Sequence, residues 1–269
     1  CMDVIEFASA LGYRIVSAGK GKNNPLNHDA VPDDYREEAI RRNMNPRMLV
    51  EFVDGSKTMV EMACIANATG LVPDVPGMHG PKADRDEMVK VLIPKADGGI
   101  LDKKGVVDFT IGKGVAPGVF VIVEAEHPRI IERMDDLHVG KGPYYAFFRP
   151  YHLTSLEVPL TAARIMLYGR PDMVPMPTPV AEVCAVAKRD LAAGETFDAI
   201  GETCYRSFIL TVEDARRQHA VPVGLLEGGK VTAPVKKGQL LTTANALPDQ
   251  STRLYALRQR QDQMFGLTA

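Results

Sequence analysis

YRIVSAGKGKNNP, running from Tyr13 to Pro25, is the stretch that decides how the chain is read. Tyr13–Gly19 has the β-branched and small residues of a short buried strand, and from Gly19 onward GKGKNNPLNHDAVPDD reads as a glycine-rich loop. A strand feeding such a loop is a recurrent arrangement in α/β enzymes, so the spacing predicts an α/β unit with its site at the end of that strand. Upstream, CMDVIEFASALGY sets Val4, Phe7, Ala8 and Leu11 at helical spacing, and the helix runs out at Gly12. A chain opening at Cys1 inside an amphipathic stretch predicts a fragment of a longer protein.

Outward from there the pattern stays mixed. DDYREEAIRRNM, PRMLVEFVDG and SKTMVEMACIANATG read as helical, and PKADRDEMVKVL as a surface helix. GVVDFTIG and GVFVIVEAE read as two strands of one sheet joined around KGVAPG, YYAFFRP as a further strand, and SLEVPLTAARIMLYG as a helix. Four prolines in PDMVPMPTPV (Pro171–Val180) interrupt every periodicity and mark a boundary. This predicts an α/β domain over 1–178 and a mostly β domain over 179–269. In the latter, AKRDLAAGETFDAI and APVKKGQLLTTANA echo each other, each a strand, a charged turn closed by Gly194 or Gly238, and a second strand. RLYALRQRQDQMFG closes as a helix with Leu254, Leu257 and Met264 on one stripe.

Composition bounds the partners. Lys and Arg number 32 against 34 Asp and Glu, so no net basic field draws nucleic acid or an anionic membrane, and a small molecule is the expected partner. No apolar run approaches the roughly 20 residues of a membrane span, and the expected location is cytoplasmic. Cys1, Cys64, Cys184 and Cys204 are scattered, without zinc-like spacing, and read as reduced structural thiols.

Three constellations can carry chemistry. Lys20 and Lys22 alternate with Gly19 and Gly21, so both ammonium groups can project into one cleft where bare backbone approaches an anion; the same spacing also suits a solvated basic turn. Asn23, Asn24 and Pro25 follow directly as turn residues. In DGSKTMVEMACIANATG, Thr58 and Glu61 have capping-box spacing, and Asp54 or Ser56 can also cap. That helix is apolar on nearly every side, which predicts burial of Lys57 and Glu61 and hence a need for partners beside a polar site. In FFRPYHLTSLEVPL, Arg149 ends a strand, His152 lies in a turn, and Thr154 or Ser155 caps a helix with Glu157 as cap partner, an arrangement suited to a phosphate. His28, His79, His127, His138 and His219 have no partner at a recognisable spacing.

The segments SAGKGKNNPLN, EFVDGSKTMVEMACIANATGLVPD, MHGP, GVAPGVF, GKGPYYAFFRPYHLTSLEVPL and CAVAKRDLAAGETFDAIG together resemble the homoserine-dehydrogenase-like oxidoreductases that end in a SAF domain. Within that group the resemblance is nearest to the 1-deoxy-D-xylulose 5-phosphate reductoisomerase-like enzymes, and it covers essentially the whole chain. It implies an N-terminal Rossmann domain with a G-x-G-x-x-G fingerprint, which this chain lacks; accordingly the chain alone is not expected to bind NADPH with useful affinity. It implies catalytic lysines at Lys20 and Lys22, since these match the family's GKGKNNP loop, and a substrate loop at DGSKTMVE, raising Lys57. It also implies catalysis and dimerisation by the domain over 1–178, a β-clip tail, a homodimer, NADPH-dependent reductive isomerisation of a phosphorylated ketose, and a divalent ion such as Mg²⁺ or Mn²⁺, for which Asp54 and Glu61 are the oxygen ligands at hand. Asn23, Asn24, Ser56 and Arg149 would then grip the substrate, with His152 and Ser155 completing a phosphate pocket. Two other readings stay open: a dehydrogenase of another small hydroxy or sugar-acid substrate, and a carbohydrate-binding module centred on the SAF-like tail.

Overall fold

The computed structural model describes residues 1–23 and 25–267; Asn24 lies outside the described residues. In chain order its elements are α1 (Met2–Ala10), β1 (Arg14–Lys22), α2 (Arg36–Arg41), α3 (Pro46–Val53), α4 (Ser56–Thr69), β2 (Val72–Pro73), α5 (Met88–Val91), β3 (Val106–Ile111) and β4 (Val119–Glu124). There follow α6 (Pro128–Asp136), β5 (Tyr144–Arg149), α7 (Val158–Tyr168), β6 (Ala181–Ala187), β7 (Tyr205–Thr211), α8 (Val212–Arg217), β8 (Lys230–Val231), β9 (Ala246–Leu247) and α9 (Arg253–Met264). The chain forms two compact units, Cys1–Asn23 with Cys64–Pro177, and Asn24–Ala63 with Thr178–Ala269. A single boundary near the proline-rich stretch does not describe this. The excursion 24–63, which the sequence pattern places in the first domain, groups with the C-terminal part.

The first unit is built on a five-stranded mixed sheet of order β2-β3-β1-β4-β5. β1 runs parallel to β3 and antiparallel to β4. The strands flanking KGVAPG therefore share a sheet but do not pair with each other; β1 lies between them. The same β1 extends three residues further than its composition suggests, through Lys22, so Gly19 and Gly21 are strand residues and not loop residues. The reason is close backbone approach. A Cβ on Gly21 would lie 2.0 Å from the Val115 carbonyl oxygen, and the Gly21 N–H donates to the Gly118 carbonyl at 3.0 Å. A Gly21→Ala variant should lose about 2–3 kcal/mol of stability through this overlap. Urea denaturation measures it, and an unshifted midpoint would refute the close approach.

One face of the sheet buries Val106, Phe120 and Ile122 with Val16, Met88, Leu92 and Leu101, the core of the unit. On the other face the ring of Phe147 meets those of Phe7 in α1 and Tyr13 edge-on, each with centroids 5.6 Å apart. The surface helix expected over PKADRDEMVKVL shrinks to α5, because Asp84 is tied by Oδ1 to the Lys113 N–H and the segment closes in turns. α6, unread in the sequence, is set by Pro128 at its first position and by the His127 side chain accepting from the Arg129 N–H. α7 starts at Val158 instead of after a Thr154 or Ser155 cap: Pro159 fixes the first turn and Glu157, the N-cap residue, makes no capping bond.

In the second unit β6 and β7 form one antiparallel pair and β8 and β9 another. The two echoing segments interlock. Leu191 and Val235 exchange both backbone hydrogen bonds, the Gly194 N–H donates to Val231, and the Gly238 N–H donates to Ala187. Both glycines have positive φ, +91° and +80°, which is what each charged turn needs glycine for. Their core gathers Leu191, Phe197, Tyr205, Val231, Val235 and Leu241. The excursion adds α2 and α3 and its own cluster of Ala30, Ala39, Leu49, Val50 and Val53. The architecture is thus a mixed α/β chain with one mixed sheet and small antiparallel sheets. Among the described residues no helix is long and apolar enough to cross a membrane.

Candidate functional site

Strand pairing places the site residues of the first unit. Lys20 stands opposite Phe109 on β3 and Val119 on β4, and Val119 opposite Arg149 on β5, so Phe109, Lys20, Val119 and Arg149 form one lateral row. Residues paired in this way share a face. Lys22, two positions on, lies on the same face beside Ile111. Lys20 and Arg149 are thus two strand spacings apart, about 10 Å. The row crosses the carboxyl ends of β1, β3 and β5, the end at which open α/β sheets bind ligands. Lys22 is buried and Lys20 half-buried, while Asn23, next in the chain, is exposed.

Behind the lysines the loop Val115–Gly118 presses on Gly21, and His152 approaches the same loop, its Nδ1 2.6 Å from the Pro117 carbonyl oxygen. The site residues Lys20, Lys22, Arg149 and His152 are therefore brought to one end of the sheet. Arg149, however, is engaged: it pairs with Glu157 and, at 3.5 Å, with Asp3, and stacks 4.9 Å over the ring of Tyr151. Glu157 is a partner of Arg149, not of a helix cap. Ser155 is exposed, in the left-handed region at φ +71°.

Ser56, Lys57, Asp54 and Glu61 belong to the second unit. Lys57 and Glu61 are not buried charges in search of partners. They pair with each other at 2.9 Å, i to i+4, each about a third exposed or less, and the Lys57 ammonium lies 4.6 Å over the ring of Phe52. Asp54 is fully buried. Its Oδ2 lies 2.7 Å from the Lys188 ammonium and its Oδ1 accepts the Ser56 N–H at 2.8 Å. Lys188 also donates to the carbonyls of Ala30 and Glu202, at 2.9 and 2.8 Å. The Ser56 hydroxyl accepts the Ser207 N–H at 2.9 Å. With both carboxylates matched to ammonium groups, Asp54 and Glu61 do not fit a divalent ion. Among the described residues no group of three or more His, Cys, Asp or Glu side chains is placed to hold one.

One pair escaped the sequence. His79 Nε2 lies 2.8 Å from Asp74 Oδ2, and the Asp74 side chain is fully buried. The backbone N–H groups of His79 and Gly80 donate to Asp108, as does that of Phe109. Burial pushes the Asp108 carboxyl above the ordinary carboxylate range, opposed by those three donors. The signal was the run Pro73, Pro76, Gly77, Gly80, Pro81 around MHGP, which marks a constrained loop; an aspartate five residues from a histidine has no meaning until the loop folds back.

A family model described as "Oxidoreductase DRL, catalytic domain" matches residues 1–158, more than half of the chain. No curated protein matches.

Proposed function

The chain belongs to the DRL oxidoreductase family through its catalytic domain, and on that premise we propose that it works in an NADPH-dependent reductoisomerase converting 1-deoxy-D-xylulose 5-phosphate to 2-C-methyl-D-erythritol 4-phosphate. The observation that supports this reading is the pair Lys20 and Lys22 on one face at the carboxyl ends of parallel strands, beside a glycine that lets backbone approach. Two ammonium groups there suit a phosphorylated ketose, gripping the phosphate or countering the negative charge that develops on a substrate oxygen. Asn23 and Asn24 would extend the grip. Arg149, held by Asp3 and Glu157, would act by fixing the rim of the site, with His152 and Ser155 beside it.

The sequence carries no G-x-G-x-x-G fingerprint. The nicotinamide cofactor would be held elsewhere, and no step is routed through it. Residues 179–269 would be the SAF-like module, supported by the interlocked hooks. A homodimer is part of the proposal, supported by α7, which has no buried residue and exposes Leu160, Met166, Leu167 and Tyr168. Light scattering should give a dimer, and a monomer at working concentration would count against it. A cytoplasmic location accompanies the reading. The test of function is turnover of the complete enzyme against phosphorylated ketoses, aldehydes and homoserine, with only the first expected to react; reduction of homoserine's aldehyde partner or of a sugar acid instead would overturn it.

A further inference from the structure

The loop after β2 folds back so that Asp74 and His79 meet. Asp74 follows directly on β2, its Oδ2 accepts the Asp102 N–H at 2.7 Å and faces His79 Nε2 at 2.8 Å, and its Oδ1, also buried, meets no hydrogen-bond donor. An unpaired buried oxygen is unfavourable, so the Asp74 carboxylate keeps acceptor capacity that a positive charge on the neighbouring imidazole would answer. Gly77, Met78 and Gly80 all have positive φ, at +78°, +65° and +54°; for Met78 that is a strained conformation, of a kind that concentrates at functional sites. The strain is held in place by the Asp108 carboxylate, which takes the N–H groups of both His79 and Gly80. A Cβ on Gly80 would lie 2.3 Å from the ring of Phe109, and Phe109 is the neighbour of Lys20 in the lateral row. The histidine loop and the lysine strand therefore flank the same side chain.

We infer that His79, oriented by Asp74, is the group that exchanges a proton with a substrate oxygen at this end of the sheet. Asp74 accepts Nε2–H and so fixes the tautomer, leaving Nδ1 as the working atom; among the described residues the imidazole has no other hydrogen-bond partner. With a hydroxyl, Nδ1 takes the proton and the O–H pair stays on oxygen. In the return direction the Nδ1–H bond breaks, its pair stays on nitrogen, and an oxygen lone pair of the nascent alkoxide takes the proton. The buried Asp74 charge balances the imidazolium in between. The substrate class is a hydroxylated carbonyl compound, and to that extent the inference rests on the function proposed above.

The test uses the complete enzyme with NADPH and the phosphorylated ketose. His79→Gln should lower kcat about a hundredfold while KM stays within about threefold. Added imidazole should restore part of the activity of His79→Ala, and Asp74→Asn should give an intermediate loss. Near-normal kcat in His79→Gln alongside failing Lys20→Met would overturn this inference and leave the proposed function standing. An equal loss of kcat and melting temperature without imidazole rescue would reduce His79 to a loop pin and overturn it too. If wild type does not turn the ketose over, the proposed function fails, and carbethoxylation of the native chain decides for His79. Modification of His79 that dihydroxyacetone phosphate or glyceraldehyde suppresses supports the inference, and an unreactive or unprotected His79 overturns it.

Discussion

Replacing Lys20 or Lys22 by methionine should cut kcat/KM of the complete enzyme at least about a hundredfold, roughly 2.7 kcal/mol of transition-state stabilisation, without changing its melting temperature. Methionine keeps the unbranched stem and drops the charge, so packing along β1 survives. The two side chains share a face, two residues apart on a central strand bonded on both edges, so neither can retreat by moving the backbone. The loss should fall on both kcat and KM for Lys→Met if phosphate is the partner, and mainly on kcat if the partner is oxygen charge that develops only in the transition state. A solvated basic turn would behave differently, as surface substitutions commonly change little. Near-normal turnover of both variants with the phosphorylated ketose and NADPH would remove the lysines from the site.

Lys188→Met should destabilise the second unit by about 3–5 kcal/mol, the cost of stranding a buried carboxylate. The Lys188 ammonium is almost fully buried and satisfies Asp54 together with the carbonyls of Ala30 and Glu202, so one substitution leaves three acceptors without their donor. The chain has no tryptophan, and far-UV circular dichroism in urea is the suitable readout. Adding Asp54→Asn should recover part of the loss, because the stranded charge is then gone, and the shortfall from additivity measures the coupling. A Lys188→Met variant as stable as wild type would mean that the ammonium is not the group holding this cluster together.

The element types were largely legible, because β-branched runs and helical spacing are local properties of the chain. β1, β3, β4, β5, α1, α7 and α9 all stand near the segments that announce them. What was not legible depends on partners distant in sequence. The glycines of GKGK signalled a loop, and only Val115, nearly a hundred positions on, shows why they belong in a strand. β3 and β4 were legible as two strands of one sheet, but nothing local records that β1 enters between them. Lys57 and Glu61 looked buried because their helix is apolar, yet i to i+4 spacing already offered each its partner. His79 was passed over since its carboxylate comes from a turn whose closure no periodicity encodes.

The excursion of residues 24–63 also bears on how the polypeptide emerges from the ribosome. Its bonds to the rest of its unit span 151 residues from Ser56 to Ser207, 158 from Ala30 to Lys188, and 208 from Asp29 to Lys237. Synthesis proceeds at about 5–20 residues per second, so the segment waits on the order of ten seconds for its partners, long after local helices can form. During that interval Asp54 has no counter-ion and the face of α3 has only its own small cluster for cover. Translation stalled before Lys188 should leave this stretch open to proteolysis and to chaperones while the segments on either side of it fold, and release should follow the arrival of β6 and β7.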